Sequence, residues 1–161
     1  MGSSGSGKST LARAMGARLG LPVIHLDQHY WQPGWAEPTR GAWEATVDRL
    51  MTADAWVMDG TFSGTLAKRL AVADTAVLLD RSRWLCLWRV VRRRIRYHGR
   101  SRPDMTEGCP ERVNRSFLHY ILSFPEARRP GILARIAAAN LCLVRLRSDR
   151  EVSAFLASLG G

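Results

Sequence analysis

Gly2-Ser-Ser-Gly-Ser-Gly7-Lys8-Ser9-Thr10 has the spacing G-x-x-x-x-G-K-[ST], a pattern suited to holding phosphate. Glycines leave no Cβ in the way, so the backbone N–H groups of Gly2, Ser4, Gly5, Ser6 and Gly7 can turn inward around an anion. Lys8 adds a mobile cation for the β- and γ-phosphates, Ser9 offers a hydroxyl to Mg²⁺, and Thr10 stands beside it. The motif predicts a bound ATP with Mg²⁺, and gives Lys8 a catalytic as well as a binding role. A flexible Gly/Ser linker is the opposing reading of residues 1–7. The neighbouring residues argue against it: Leu11, Ala14, Met15, Arg18 and Leu19 fall at helical spacing, and Gly20 with Pro22 stops the helix.

Such a loop ordinarily leaves a buried strand and opens a helix. Only Met1 stands before Gly2. Five or six buried aliphatic side chains at about 1.5–3 kcal/mol each sum to roughly 8–15 kcal/mol, comparable with the net stability of a domain. The expectation is a truncated first strand, with Met1 standing where an apolar strand ends and several residues missing upstream.

The elements that must position this loop alternate in type. Residues 23–27, 56–59, 75–80 and 141–146 read as strands, and residues 42–53, 82–97, 114–124, 126–139 and 148–159 read as helices. Strands alternating with helices are the sign of a mostly parallel sheet covered on both faces, an α/β fold. Pro125 is expected to break residues 114–139 into two helices. In residues 82–97, Trp84, Leu87, Trp88, Val91 and Ile95 form an apolar stripe for the core, with most arginines opposite. Ser148-Asp149-Arg150-Glu151 is a capping box. No repeat or second domain is visible, so residues 1–161 read as one domain. Residues 98–113, rich in Gly, Pro, Ser and charge, read as a lid loop in which Arg100, Arg102 and Arg112 close over a phosphate.

Ligands of parallel sheets bind beyond the carboxyl ends of the strands, which makes Asp27, Asp59 and Asp80 the first candidates for acid chemistry. A carboxylate that shares Mg²⁺ with the loop hydroxyl needs an apolar run before it, and both Asp59 and Asp80 have one. Each aspartate could equally be a turn or cap residue. Trp31 and Trp35, flanking Pro33-Gly34, either stack on an acceptor ring or pack a rigid loop. His25, inside an apolar strand, reads as a buried structural histidine.

The net charge is +10, from 24 Lys+Arg against 14 Asp+Glu, and nine arginines lie between positions 81 and 102. Such a cluster suits nucleic acid, a solvated helix face or arms around a polyphosphate. Cys86, Cys109 and Cys142 are odd in number and lack metal-type spacing, which points to a reducing, cytoplasmic setting. No apolar run approaches the ~18 residues of a membrane span, so no membrane association is expected.

Trp56-Val-Met-Asp59-Gly60-Thr61 resembles the strand-Asp-Gly segment of adenylate kinases, and residues 80–94 are similar to the stretch that leads into their lid. The resemblance implies that Asp59 serves the magnesium site with Ser9, and that Arg89 and Arg93 grip the phosphates being transferred. Arg92 and Arg94 are less specified by it. The whole arrangement is closer still to a smaller adenylate-kinase-like group of P-loop proteins described as DNA topology modulation proteins. The residues that carry this are Pro22-Val-Ile-His25-Leu-Asp27, Trp31-Gln-Pro33-Gly34-Trp35, Asp59-Gly60, Arg69-Leu-Ala-Val-Ala-Asp74, Trp84-Leu-Cys-Leu-Trp88-Arg89 and residues 102–111. It implies a P-loop NTPase three-layer sandwich. Gly60-Thr61-Phe62-Ser63 departs from adenylate kinases, which carry an arginine near this point. Arg69 is the candidate substitute, with Asp27, Trp31 and Trp35 completing the acceptor site. Arg147, after the last strand, falls where related kinases wrap adenine.

Two functions from different classes fit these residues. One is a small-molecule kinase that transfers the ATP γ-phosphoryl group to a nucleoside-like or other hydroxyl acceptor. The other is a nucleotide-dependent DNA-binding protein that uses the arginines of residues 82–97. No helix-turn-helix or zinc-finger spacing accompanies that charge, which weakens the second.

Overall fold

The computed structural model describes residues 1–97, 106–109 and 113–159. The expected lid arginines Arg100, Arg102 and Arg112 lie outside the described residues. Helix α1 (Lys8–Leu19) starts directly from the glycine-rich loop and stops at Gly20. Strand β1 (Val23–His25) leads into a short helix α2 (Leu26–Tyr30), a 3-10 turn (Pro33–Trp35) and α3 (Arg40–Leu50). Then come β2 (Val57–Asp59), α4 (Leu66–Val72), β3 (Thr75–Leu79) and α5 (Arg83–Arg96). The chain closes with α6 (Arg115–Ala127), α7 (Arg129–Ala138), β4 (Cys142–Leu146) and α8 (Asp149–Ser158).

The fold is α/β with parallel strand pairing. β1 pairs with β2, setting His25 opposite Asp59, and β3 pairs with β4 from Thr75↔Cys142 to Leu79↔Leu146. Among the described residues each of these sheets has two strands. Helices cover both faces of the β3–β4 pair, so its strands are apolar on both sides, as parallel strands generally are. Ala76 and Leu78 pack with Leu66, Leu70, Ile132 and Ile136 of α4 and α7. Val77 and Leu79 face the other way, onto Leu11 of α1 and Phe155 of α8. The first residues join this architecture by a two-residue pairing along β3. The Met1 amine donates to Val77 O (2.7 Å), Leu79 N–H donates to Met1 O (2.9 Å), and Gly2 bridges to Leu79 in parallel sense.

Three expectations are corrected. Asp27 does not end a strand: the extended segment stops at His25 and Asp27 lies in the first turn of α2. Pro125 does not break the helix, since α6 runs through it to Ala127. Burial of the preceding Phe124 against Ile132 and Ile136 outweighs one lost backbone bond near the helix end. The break falls at Arg128, and Pro130 opens α7, where a missing N–H costs nothing. Third, α5 turns most of its expected apolar stripe outward, and only Leu87 of that stripe joins the core. Trp84 (67% exposed), Trp88 (55%) and Ile95 (74%) face solvent, whereas Cys86 and Val90 are buried. Arg89 and Arg93 reach the polar loop, while Cys86, Leu87 and Val90 pack on Phe117, Tyr120 and Ile121 of α6.

Candidate functional site

The site is built where the glycine-rich loop meets β2 and α5. Gly5 (φ 78°) and Gly7 (φ 97°) are left-handed, a conformation that strains other residues. A Cβ on Gly5 would also stand 2.3 Å from the Cys86 carbonyl, so only glycine lets α5 press against the loop. Gly7 is the N-cap of α1 and no side chain caps it, which leaves the first N–H groups of a twelve-residue helix facing the loop. A helix start of this kind attracts anions. Among the described residues, the buried hydroxyls of Ser3 and Ser6 have no hydrogen-bond partner, a second mark of a cradle suited to acceptors.

Asp59 ends β2 directly beside this loop and is 5% exposed. Burial pushes its carboxyl up, but a hydrogen bond from His25, the charge of Lys8, a hydrogen bond from Ser9 and the Met1 amine together hold it at about 2. It is an anion at any physiological pH. His25 Nδ1 lies 3.1 Å from Asp59 Oδ2, so the histidine positions the carboxylate. Oδ1, also buried, has no hydrogen-bond partner among the described residues. A buried carboxylate oxygen left open next to a serine hydroxyl fits a divalent cation. Among the described residues no group of three or more His, Cys, Asp and Glu could hold a metal on its own. Magnesium suits this, since it takes one or two protein ligands and completes its shell with phosphate oxygens and water.

Two arginines of α5 reach the loop. Arg89 donates to Ser6 O (3.3 Å) and Arg93 to Ser4 Oγ (3.4 Å). Arg89 is steadied by both oxygens of Asp149 (3.3 Å each), and Asp149 also accepts from the buried Arg81 (2.5 Å). Arg81 was not marked as a site residue by its spacing. Its guanidinium also donates to Arg147 O (3.1 Å), so it joins α8 to the start of α5.

Beyond the loop opens a cavity of about 540 Å³ that Ser4, Lys8 and Arg93 share with Asp27, Trp31 and Trp35. Trp31 and Trp35 meet at 5.2 Å with rings 67° apart. Tyr30 packs on Trp31, Trp43 and Phe62, which links the cavity wall to the core of α3. The far wall, Asn114 with Phe117, Tyr120, Phe124 and Arg128 at α6, was not foreseen as part of a site. The signal was present: 117, 120 and 124 recur at helical spacing behind the N-cap Asn114, which accepts from Phe117 N–H at 2.8 Å. Thr106 and Cys109 hold the described part of the 98–113 segment to this side, through Gln28 O (2.9 Å) and Gln32 O (3.1 Å).

The remaining candidates stand elsewhere. Arg69 is buried under the turn after β2, donating to Gly60 O (3.1 Å), Thr61 O (2.5 Å) and Phe62 O (3.0 Å). Burial lowers its guanidinium to about 10. It shapes the turn and does not line the aromatic cavity. Asp80 serves structure, with Arg129 at 3.0 Å and Arg145 at 2.8 Å. Arg147 is exposed and its N–H donates to Glu151 (2.6 Å), part of the α8 cap that Ser148 completes at Glu151 N (3.1 Å). Thr10 is exposed on α1. No described helix is long and apolar enough to cross a membrane. Compared with family models, with curated proteins and with solved structures, the chain matches none of them.

Proposed function

We propose that the chain is an adenylate-kinase-like P-loop NTPase, a three-layer sandwich that binds MgATP and transfers its γ-phosphoryl group to a small hydroxyl compound. One observation carries this: a buried Asp59, held by His25 and with its other oxygen unpartnered among the described residues, lies beside the loop whose Lys8 lines a cavity with Asp27, Trp31 and Trp35. Phosphoryl transfer asks mainly for positioning and electrostatics. The loop N–H groups and the start of α1 would hold the polyphosphate, with Lys8, Arg89 and Arg93 against its charge. Ser9 and Asp59 are the residues that would hold Mg²⁺, which when bound draws charge from the phosphate oxygens. Asp27 would take the acceptor hydroxyl's hydrogen bond, and the aromatic walls would hold an apolar or ring-bearing acceptor such as a nucleoside. Exclusion of water by those walls favours the acceptor over hydrolysis.

The test has two arms. Calorimetry with a non-hydrolysable ATP analogue and Mg²⁺ should give one site, lost in Lys8→Ala. A screen of ADP release against nucleosides, nucleotides and small hydroxy acids should then pick out one class. No binding by the wild-type chain would end the proposal.

A second function, nucleotide-dependent DNA binding, is favoured by the outward face of α5, where Arg92 lies 5.4 Å over the Trp88 ring. It requires an affinity for DNA that falls steeply with salt. A salt titration of DNA binding separates it from the kinase, which needs no such affinity.

A further inference from the structure

α5 has a second face, turned away from the glycine-rich loop. Trp84, Trp88, Val91 and Ile95, all exposed, recur along it at steps of four, three and four residues. At about 3.6 residues per turn they fall within about 60° of arc and form one ridge about 16 Å long. Arg92 and Arg96 lie on one flank of the ridge and Arg83 and Arg94 on the other, each roughly 70–110° from its middle. Arg83 is paired with Glu126, and Arg92 stands 5.4 Å over the Trp88 ring. Arg93, which reaches the loop, falls about 170° from the middle of the ridge, so the helix serves the loop and the ridge on opposite sides. It carries six arginines and no acidic residue. The depression on the outward face is lined, among the described residues, by Trp88, Val91, Arg92, Ile95 and Arg96, every one of them from α5 itself.

We propose that the outward face of α5 is a contact for an anionic lipid bilayer, the helix lying in the plane of the surface with its ridge at the acyl boundary and its flanking arginines on the lipid phosphates. Three features select that occupant. Two indoles and two β-branched aliphatic side chains in one exposed line are a contiguous apolar patch, and an indole suits a bilayer surface, with its ring in the apolar layer and its N–H among the headgroups. Arginines on both flanks set their charge at the level of the phosphates while their stems cover the sides of the ridge. The ridge is also convex, a shape to which a fluid surface moulds, whereas a partner helix is held by a groove. A second copy of the chain would bring arginines against arginines, since α5 has no acid to set opposite them. Duplex DNA, the competing occupant of this face, would take the arginines and leave Trp84, Val91 and Ile95 against its charged backbone. With 14 residues α5 is too short to cross a bilayer, and lying in the surface asks only for an apolar ridge beside a basic flank. The net charge of +10 favours the same anionic surface. None of this rests on the nucleotide site.

The full chain is titrated with vesicles of phosphatidylcholine and with vesicles in which about a quarter of the lipid is phosphatidylserine. The wild type should bind the anionic vesicles tighter by roughly tenfold or more. Trp84→Ser with Trp88→Ser should weaken that binding by roughly tenfold or more while melting close to wild type, since neither ring is buried. Trp84→Phe with Trp88→Phe keeps the ridge apolar and should bind roughly fivefold or more better than the Ser variant. Lipids brominated in the acyl chain should quench the wild-type tryptophan fluorescence, and quench the Phe variant less. Arg92→Gln with Arg96→Gln should narrow the preference for anionic vesicles by roughly fivefold or more. The absence of vesicle binding overturns the proposal, and so does anionic binding equal in the wild type and the Ser variant, which would come from net charge alone. A wild-type dimer, or an affinity for duplex DNA, that the Ser variant loses while its vesicle binding stays also overturns it, and gives the face to a second copy or to nucleic acid.

Discussion

Asp59 and Asp80 follow neighbouring apolar runs and look alike in sequence, yet the fold gives them opposite surroundings. Asp80 accepts from Arg129 and Arg145, each about one-third exposed, and both of its oxygens are used. Asp59 is met by His25, Ser9 and the charge of Lys8, and among the described residues one of its buried oxygens has no partner. A satisfied carboxylate ties elements together: Asp80 joins the end of β3 to α7 and β4. A partly satisfied one, beside a loop whose own buried serine hydroxyls are unpaired, is poised for a ligand. The difference lies in which residues the topology brings to each strand end, since β1 sets His25 opposite Asp59 while β4 sets Arg145 near Asp80.

The contrast breaks most sharply at the loop. Lys8→Ala should reduce MgATP affinity below calorimetric detection while leaving the melting temperature close to wild type. Asp59→Asn should lower magnesium-dependent turnover by about a hundredfold or more, the scale of losing one electrostatic contact to a developing charge. An Asp59→Asn chain with wild-type turnover would put Asp59 on the same footing as Asp80.

Arg89→Ala and Arg93→Ala come next. Guanidinium groups aimed at the moving phosphoryl group act most in the transition state, so turnover should fall by more than nucleotide affinity, at a cost of about 3 kcal/mol each. Steady-state kinetics beside analogue binding reads the split. Equal losses in both would make the arginines simple binding groups.

Asp80→Asn should do the reverse of Asp59→Asn. It leaves two half-solvated arginines without their carboxylate, a loss of about 1–2 kcal/mol and roughly 2–8 °C in melting temperature, with turnover per folded molecule unchanged. Acid should expose both aspartates. Each carboxyl is held below its ordinary value, so each contributes stability that is fully present above about pH 4 and drains as the pH falls through its folded value, which for Asp59 is about 2. Thermal unfolding between those pH values should fall less steeply in either Asn variant than in wild type. The smallest effect belongs to the outward face of α5: Trp84→Ser and Trp88→Ser should change stability by only about 0.5 kcal/mol, because neither ring is buried. A loss of several kcal/mol in denaturant unfolding would return those tryptophans to the core.

Local chemistry made much of this legible in the sequence. The glycine spacing of residues 2–7, the helix beyond it and its stop at Gly20, the α/β alternation, the cap at Ser148 and the apolar runs before Asp59 and Asp80 are all short-range patterns, and each governs the dihedrals or burial of residues close to it in the chain. Sequence alone therefore determined that a glycine-rich loop opens α1 and that Asp59 and Asp80 close apolar strands, whereas Asp27, read the same way, lies in α2. Tertiary structure decided which of the two carboxylates meets Ser9, because strand order and register are set by residues far apart in the chain. It also decided which way α5 faces. Periodicity separates an apolar side from a basic one but is silent on what surrounds the helix, and here Arg89 and Arg93 reach the loop while Cys86 and Val90 pack on Ile121 of α6. Arg69 shows the same limit. A buried guanidinium looks like a ligand-binding group in sequence, and only the fold reveals that three backbone carbonyls of residues 60–62 already occupy it.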